Sequence, residues 1–275
     1  MSFFRDNIEK MAGYVPGEQP QGEGYIKLNT NENPFPPSPR VLAAVREAAS
    51  ASLRLYPDPM ATKVRVKAAE VFGTRPERVL VGNGSDELLG LIARAFLGPG
   101  DKAVYPYPTY LLYKVLVDIQ DATGVTVNFK EDFSLPEGIV VKGAKVTFLC
   151  NPNSPSGTMV WPDDVARLAK RIDGVLVVDE AYVEFADANC LSLVEDNPNV
   201  IVLRTLSKSY SLAGLRLGFC IAQEEIIEGL IKVKDSYNVS RLSMAAAVAA
   251  LDDQQHLKEN LEKIKEVRSY LSESL

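Results

Sequence analysis

Seven short apolar runs, each set apart from the next by a turn or a helix-length stretch, constrain this chain more than any other feature. They are RVLVG (78–82), KAVYP (102–106), VTVNF (125–129), KVTFLC (145–150), VLVVD (175–179), NVIVLR (199–204) and LGFCIA (217–222). Helical patterns are expected at 86–97, 109–120, 163–171 and 224–235, with another near 241–251. Such alternation predicts an α/β sheet with helices on both faces. The runs lack clean polar alternation, which suits strands buried on both sides.

The flanks read differently. Residues 1–40 hold Pro16, Pro20, Pro34, Pro36, Pro37 and Pro39, which break any long element and predict an arm lying on something else. From Val41 to about Phe72 the pattern is helical, interrupted by YPDP at 56–59. At the other end Leu257, Leu261, Ile264, Val267, Leu271 and Leu275 form one helical stripe that continues to the final residue. An apolar stripe needs a partner, so the expectation is a chain cut before a second domain is complete. The domain reading is therefore an arm with part of a small domain (1–40), a large domain (41–252), and the start of an incomplete small domain (253–275).

A net charge of −6 argues against nucleic acid or an acidic membrane as partner. Cys150, Cys190 and Cys220 are scattered and lack metal-ligand spacing; they read as reduced thiols of a cytoplasmic protein. No metal cluster is evident. The start MSFFRDNIEK has no secretory core, and MAAAVAAL at 244–251 is too short to span a bilayer.

Open α/β sheets bind ligands beyond the carboxyl ends of their strands. The residue after each run is therefore informative. After VLV comes GNGSDE (82–87), with Gly84, Ser85 and Asp86 at a helix start that would welcome a phosphate; it also reads as a plain turn with Ser85 as N-cap. After VLVV comes Asp179, a carboxylate at a buried tip that needs a cationic partner, or else a structural salt bridge or cap. After IVLR come Ser207 and Lys208. A lysine is a poor nucleophile unless desolvated or beside a cation such as Arg216; the alternative is an ordinary solvated lysine. YPYPTY (105–110) offers Tyr110 for stacking on a flat ring or for packing, and NPNSPSG (151–157) is a polar loop or a mere turn. An anion cradle, an aromatic platform, an acid and an amine on one rim suit a planar, phosphorylated, protonatable aldehyde. Pyridoxal phosphate fits that description.

LNTNENPFPPSP (28–39), RLYPDP (54–59), GNGSDE, YPYPTY, NPNSPSG, VVDEAYVEF (177–185) and TLSKSYSLAGLRLGF (205–219) stand in one order along nearly the whole chain. In these pieces the sequence resembles the fold-type I pyridoxal-phosphate aminotransferases, and within them the histidinol-phosphate group. The resemblance implies a three-layer α/β/α large domain with a mostly parallel, mixed sheet, plus a small domain. It implies transamination between histidinol phosphate and 2-oxoglutarate in histidine biosynthesis, by a homodimer acting on small molecules. Related chemistries, an aromatic aminotransferase or a phosphothreonine-type decarboxylase, and a non-catalytic cofactor-binding remnant are the alternatives.

The resemblance also implies roles. Lys208 is the Schiff-base lysine and proton shuttle. Asp179 pairs with the pyridine N–H, Tyr182 bonds the phenolic oxygen, and Tyr110 stacks on the ring. Gly84, Ser85, Asp86, Ser207 and Arg216 hold the phosphate, joined by Tyr56 of the neighbouring subunit. Tyr14 and Asn33 face the substrate. Many relatives carry asparagine where this chain has Ser154, which leaves Asn153 or Ser154 to contact the phenolic oxygen. The sole histidine, His256, reads as a packed or solvated side chain.

Overall fold

The structure is a computed structural model that describes residues 2–20 and 24–275. All seven expected strands form: β1 (Val79–Gly82), β2 (Lys102–Tyr107), β3 (Thr123–Asn128), β4 (Val146–Cys150), β5 (Val175–Asp179), β6 (Val200–Thr205) and β7 (Gly218–Ile221). The helices are α1 (Asp6–Lys10), α2 (Pro39–Ala48), α3 (Thr62–Phe72), α4 (Ser85–Phe96), α5 (Leu112–Ile119), α6 (Pro162–Ala169), α7 (Leu193–Asp196), α8 (Glu224–Val233), α9 (Arg241–Asp252) and α10 (Gln254–Ser274). The sequence does not announce α1 or α7. Helix α5 starts three residues later than its apolar pattern suggests, because Thr109 is buried and bonded to Asn153.

The strands form one sheet in the order β1-β7-β6-β5-β4-β2-β3. Strands β2 to β6 run parallel to their neighbours among themselves, and β7 runs antiparallel to both β1 and β6. The sheet is thus mixed, as expected, and its reversed strand has a local use. The carboxyl ends of β1 and β6 meet the amino end of β7, where Gly218 pairs with both Gly82 and Thr205.

Two apolar layers cover the sheet. Leu88, Leu89 and Ile92 of α4, Tyr113 and Val117 of α5, and Ile227 and Leu230 of α8 pack on one face with Phe148, Val177 and Ile201. On the other face Val64 and Ala68 of α3, Val165 and Leu168 of α6, and Ala246 and Ala250 of α9 pack on Val178, Val202 and Phe219. Each fully buried aliphatic side chain contributes about 1.5–3 kcal/mol. Emptying one, as in Leu88→Ala, costs about 2–5 kcal/mol. The same period-two rule places Asp179 on the α4/α5 face with Val177, and Glu180 beyond it on the other.

Helix ends follow local chemistry. Ser38 accepts from the Arg40 N–H with Pro39 in the first turn of α2, and Ser240 accepts from the Ser243 N–H at the start of α9. In α10 Leu257 is buried and Leu261 half-buried, whereas Val267, Leu271 and Leu275 are exposed. The stripe is therefore a core contact in its first turns only. His256 serves this junction: its Nε2 lies 3.2 Å from the Pro36 carbonyl and 3.0 Å from Asn260 Nδ2. Among the described residues no helix is long and apolar enough to cross a membrane, and no cluster of potential metal ligands occurs.

Candidate active site

A cavity of about 650 Å³ opens over the strand tips and is lined on one side by the arm. Its wall includes Tyr14, Ser85, Asp86, Tyr110, Ser154, Asp179, Tyr182, Ser207, Lys208 and Arg216, so ten of the expected site residues come together from eight separate stretches of chain. A second hollow of about 610 Å³ adjoins it, sharing Asn31, Ser154 and Tyr182.

One end of the cavity is built for an anion. Helix α4 opens at Gly84 rather than at a capping Ser85, and Gly84 has no side chain to bond the first-turn N–H groups. Those groups and the helix dipole favour negative charge. Gly84 adopts φ +86°, and a Cβ there would stand 2.5 Å from Arg216 Nη2. Gly218 is equally constrained, since its Cβ would fall 2.5 Å from the Ser85 nitrogen. Arg216 itself takes the left-handed φ of +49°, a conformation that costs a non-glycine residue about 1–2 kcal/mol. Its guanidinium lies 3.4 Å from Ser207 Oγ and 3.2 Å from Asp86 Oδ2. Ser207 is also tied to Thr205 Oγ1 at 3.0 Å.

The other end is built for a cation. Asp179 is 3% exposed, and burial pushes its carboxyl up to about 6. It accepts from the Tyr113 hydroxyl at 2.8 Å and from the Ala181 N–H at 3.3 Å. No basic side chain among the described residues forms an ion pair with it. Arg204, the nearby buried cation, is instead taken by Glu180 at 2.7 Å and Glu184 at 3.2 Å on the opposite face.

Lys208 lies between these ends. Its Nζ donates to the Thr30 carbonyl at 2.7 Å and lies 5.6 Å from the Tyr182 ring centre. Its ammonium is depressed below the usual lysine range, chiefly by burial; Arg216 adds a smaller push, opposed by Asp86 and Glu32. Desolvation, not the neighbouring arginine, therefore tunes this amine first. The Tyr182 hydroxyl accepts from Asn31 Nδ2 at 3.1 Å, and burial raises its phenol. Tyr110 donates to Asp86 Oδ1 at 3.1 Å and meets Tyr14 edge-on with centroids 6.1 Å apart.

Two expected site residues, Asn33 and Asn153, sit elsewhere. Asn33 does not face the cavity: its Nδ2 donates to the carbonyls of Lys208 and Ser209 at 3.0 and 3.1 Å, pinning the arm to the lysine loop. Asn31, two residues earlier, reaches the wall instead. Asn153 is buried and spent on Thr109, the Pro108 carbonyl and Ser156, which leaves Ser154 at the wall. Tyr56 stands away from this cavity, 77% exposed and stacked on Tyr237 at 4.4 Å. Tyr113 went unread in the sequence. Its signal is the spacing Tyr110, Tyr113, Val117: a tyrosine on the inner stripe of a helix needs a buried partner for its hydroxyl.

The donor set suits a flat molecule with an anionic group at one end, a basic ring atom at the other and an electrophile between. The sequence model of the class I and II aminotransferases matches residues 23–275. The chain belongs to this family. It is 48% identical over 276 residues to histidinol-phosphate aminotransferase 1 of Nostoc sp., covering all of this chain and 78% of that one. It is 49% identical over 277 residues to histidinol-phosphate aminotransferase of Citrifermentans bemidjiense, covering 79% of that protein. Among solved structures, histidinol-phosphate aminotransferase of Sinorhizobium meliloti in complex with pyridoxal 5'-phosphate superposes with a TM-score of 0.88 at 31% identity, over 98% of this chain and 77% of that one.

Proposed function

We propose that this class I and II aminotransferase binds pyridoxal phosphate and exchanges an amino group between histidinol phosphate and 2-oxoglutarate, as a cytoplasmic homodimer of histidine biosynthesis. The observation that carries the reading is Asp179: a buried carboxylate on a cavity wall, with no basic side chain among the described residues paired to it. A protonated ring nitrogen supplies the missing cation. The names of the relatives favour the histidinol-phosphate substrate over the aromatic and phosphothreonine alternatives, and the intact Lys208, Asp179 and Tyr182 set weighs against a remnant.

When bound, pyridoxal phosphate supplies an aldehyde that condenses with amines and a protonated ring that withdraws electrons from the adjoining carbon. The Gly84–Asp86 backbone, Ser207 and Arg216 would hold its phosphate, Tyr110 would pack against its ring, and Tyr182 and Ser154 would serve its phenolic oxygen. Lys208 Nζ provides the covalent handle and is the base that takes the proton from the amino-bearing carbon of the substrate. Burial lowers its proton affinity, in the direction that favours the neutral amine. Asp179 stabilises the positive ring nitrogen. Tyr14 borders the substrate space, and Tyr56, exposed on this subunit, completes the phosphate site of a second copy. Residues 41–252 form the cofactor domain, flanked by the arm and by a small-domain segment from residue 253.

The test is direct. Protein mixed with pyridoxal phosphate should turn yellow and form glutamate from histidinol phosphate and 2-oxoglutarate, faster than with phenylalanine or phosphothreonine as donor. Lys208→Ala should lose the visible band and about 10²–10⁴-fold or more of turnover. An unchanged spectrum in that variant overturns the assignment.

A further inference from the structure

Asp179 is held from behind by a residue outside the cavity. Tyr113 is fully buried on α5, and its hydroxyl makes the 2.8 Å bond to Asp179 Oδ2. Its ring stacks on Phe148 with centroids 4.9 Å apart and planes 7° apart, and meets Tyr110 edge-on at 5.7 Å and 85°. Packing therefore fixes the ring, and the hydroxyl is presented to Asp179 without a search. Burial, and then the carboxylate charge, push the phenol far above its ordinary value, so it stays a proton donor.

The groups around Asp179 leave this donor much to do. The Ala181 N–H is longer, at 3.3 Å. Asp86 across the cavity opposes ionisation by like charge. Cys150 at the tip of β4 and Tyr182 both lie close enough to feel the carboxylate, and both are pushed up towards their neutral forms. None of them supplies positive charge. Without Tyr113, Oδ2 would be a desolvated oxygen lacking a side-chain donor, and the cheapest relief is uptake of a proton.

We propose that Tyr113 is a positioning residue for the reaction: its packed hydroxyl keeps Asp179 ionised and oriented, so that the carboxylate can pair with a protonated ring nitrogen. This rests on the pyridoxal-phosphate reading. A neutral Asp179 would offer a hydrogen bond in place of a charge, weakening both cofactor binding and the electron-withdrawing ring.

The experiment measures the pyridoxal phosphate dissociation constant from pH 5 to 9 for the full chain, for Tyr113→Phe and for Phe148→Leu. Tyr113→Phe removes one oxygen. It should weaken binding about tenfold at pH 5 and about twofold at pH 7, with the pH of half-maximal affinity moved upward by about one unit, the effect of one hydrogen bond to a charge. Phe148→Leu loosens the packing but keeps the hydroxyl; it should lower Tm and move that pH by clearly less than Tyr113→Phe does. Should Tyr113→Phe fail to fold, 3-fluorotyrosine placed at 113 keeps the shape, strengthens the donor and should move the pH downward. Equal midpoints in all proteins, or an equal shift from Phe148→Leu, overturn the proposal. If pyridoxal phosphate does not bind the unmodified chain, the function reading fails. Carbon-13 titration of the Asp179 carboxyl, in unmodified and Tyr113→Phe protein, then decides the proposal alone: a higher midpoint in the variant upholds it, and equal midpoints overturn it.

Discussion

Asp179 and Glu180 are neighbours in sequence, both buried and both acidic, yet they serve opposite ends. Glu180 points to the α3 face, where Arg204 Nε binds it at 2.7 Å and Glu184 shares the same guanidinium. The Arg204 guanidinium also sits 5.6 Å from the Phe72 ring centre. Asp179 points to the α4/α5 face and has hydrogen bonds but, among the described residues, no paired cation. A carboxylate neutralised inside the protein can only support the fold. One left with uncompensated charge beside a cavity destabilises the fold and is available to a ligand.

The contrast can be broken by mutation, and the largest effect is expected on the paired side. Arg204→Met leaves Glu180 and Glu184 buried together without a cation and should cost about 3–5 kcal/mol in urea unfolding. A loss near zero would mean that the two sides do not differ. On the unpaired side the sign reverses. Burial raises Asp179 from an ordinary 3.8 to about 6, so the folded protein binds its proton more tightly than the unfolded chain. The resulting penalty is absent below about pH 4, grows between 4 and 6, and is complete above 6. Asp179→Asn should therefore stabilise the cofactor-free protein at pH 8 by up to about 3 kcal/mol, with the gain fading on acidification through that window, while transaminase activity falls. Denaturation curves at pH 4 and pH 8 check both halves.

A ligand sharpens the same comparison. Pyridoxal phosphate at a hundred times its dissociation constant should stabilise the unmodified protein by about 2.7 kcal/mol. The increment should shrink in Asp179→Asn at the same cofactor concentration. Thermal melts with and without cofactor measure it. The smallest effect is expected at the anion end. Gly84→Ala forces a side chain onto a φ of +86° and against Arg216, and should cost about 1–2 kcal/mol. Isothermal titration with inorganic phosphate should show weaker binding in that variant.

These same residues show why part of the site could be read from sequence. Asp179, Lys208 and Ser85 each follow an apolar run whose end marks a strand tip, so one periodicity rule places them on the rim. Gly84 and Arg216 follow from the turns beside those tips. The arm has no such ruler. Asn31 and Asn33 differ by two positions in a proline-rich segment, and only the fold tells that Asn31 meets Tyr182 while Asn33 holds backbone. Asn153 and Ser154 were undecidable for the same reason. Tyr113 carries no motif that singles it out; it is core, and its second duty appears only when α5 is laid against β5.

The reversed direction of β7 has a mechanical consequence. The backbone leaves the sheet at Thr205 and returns at Gly218, and those two residues are paired side by side. Lys208 and Arg216 thus ride on a single loop with a cinched neck, like two fingers of one hand. Whatever loosens that neck would move both side chains together, so under the roles proposed for them the enzyme would be expected to release pyridoxal phosphate in one event rather than by degrees.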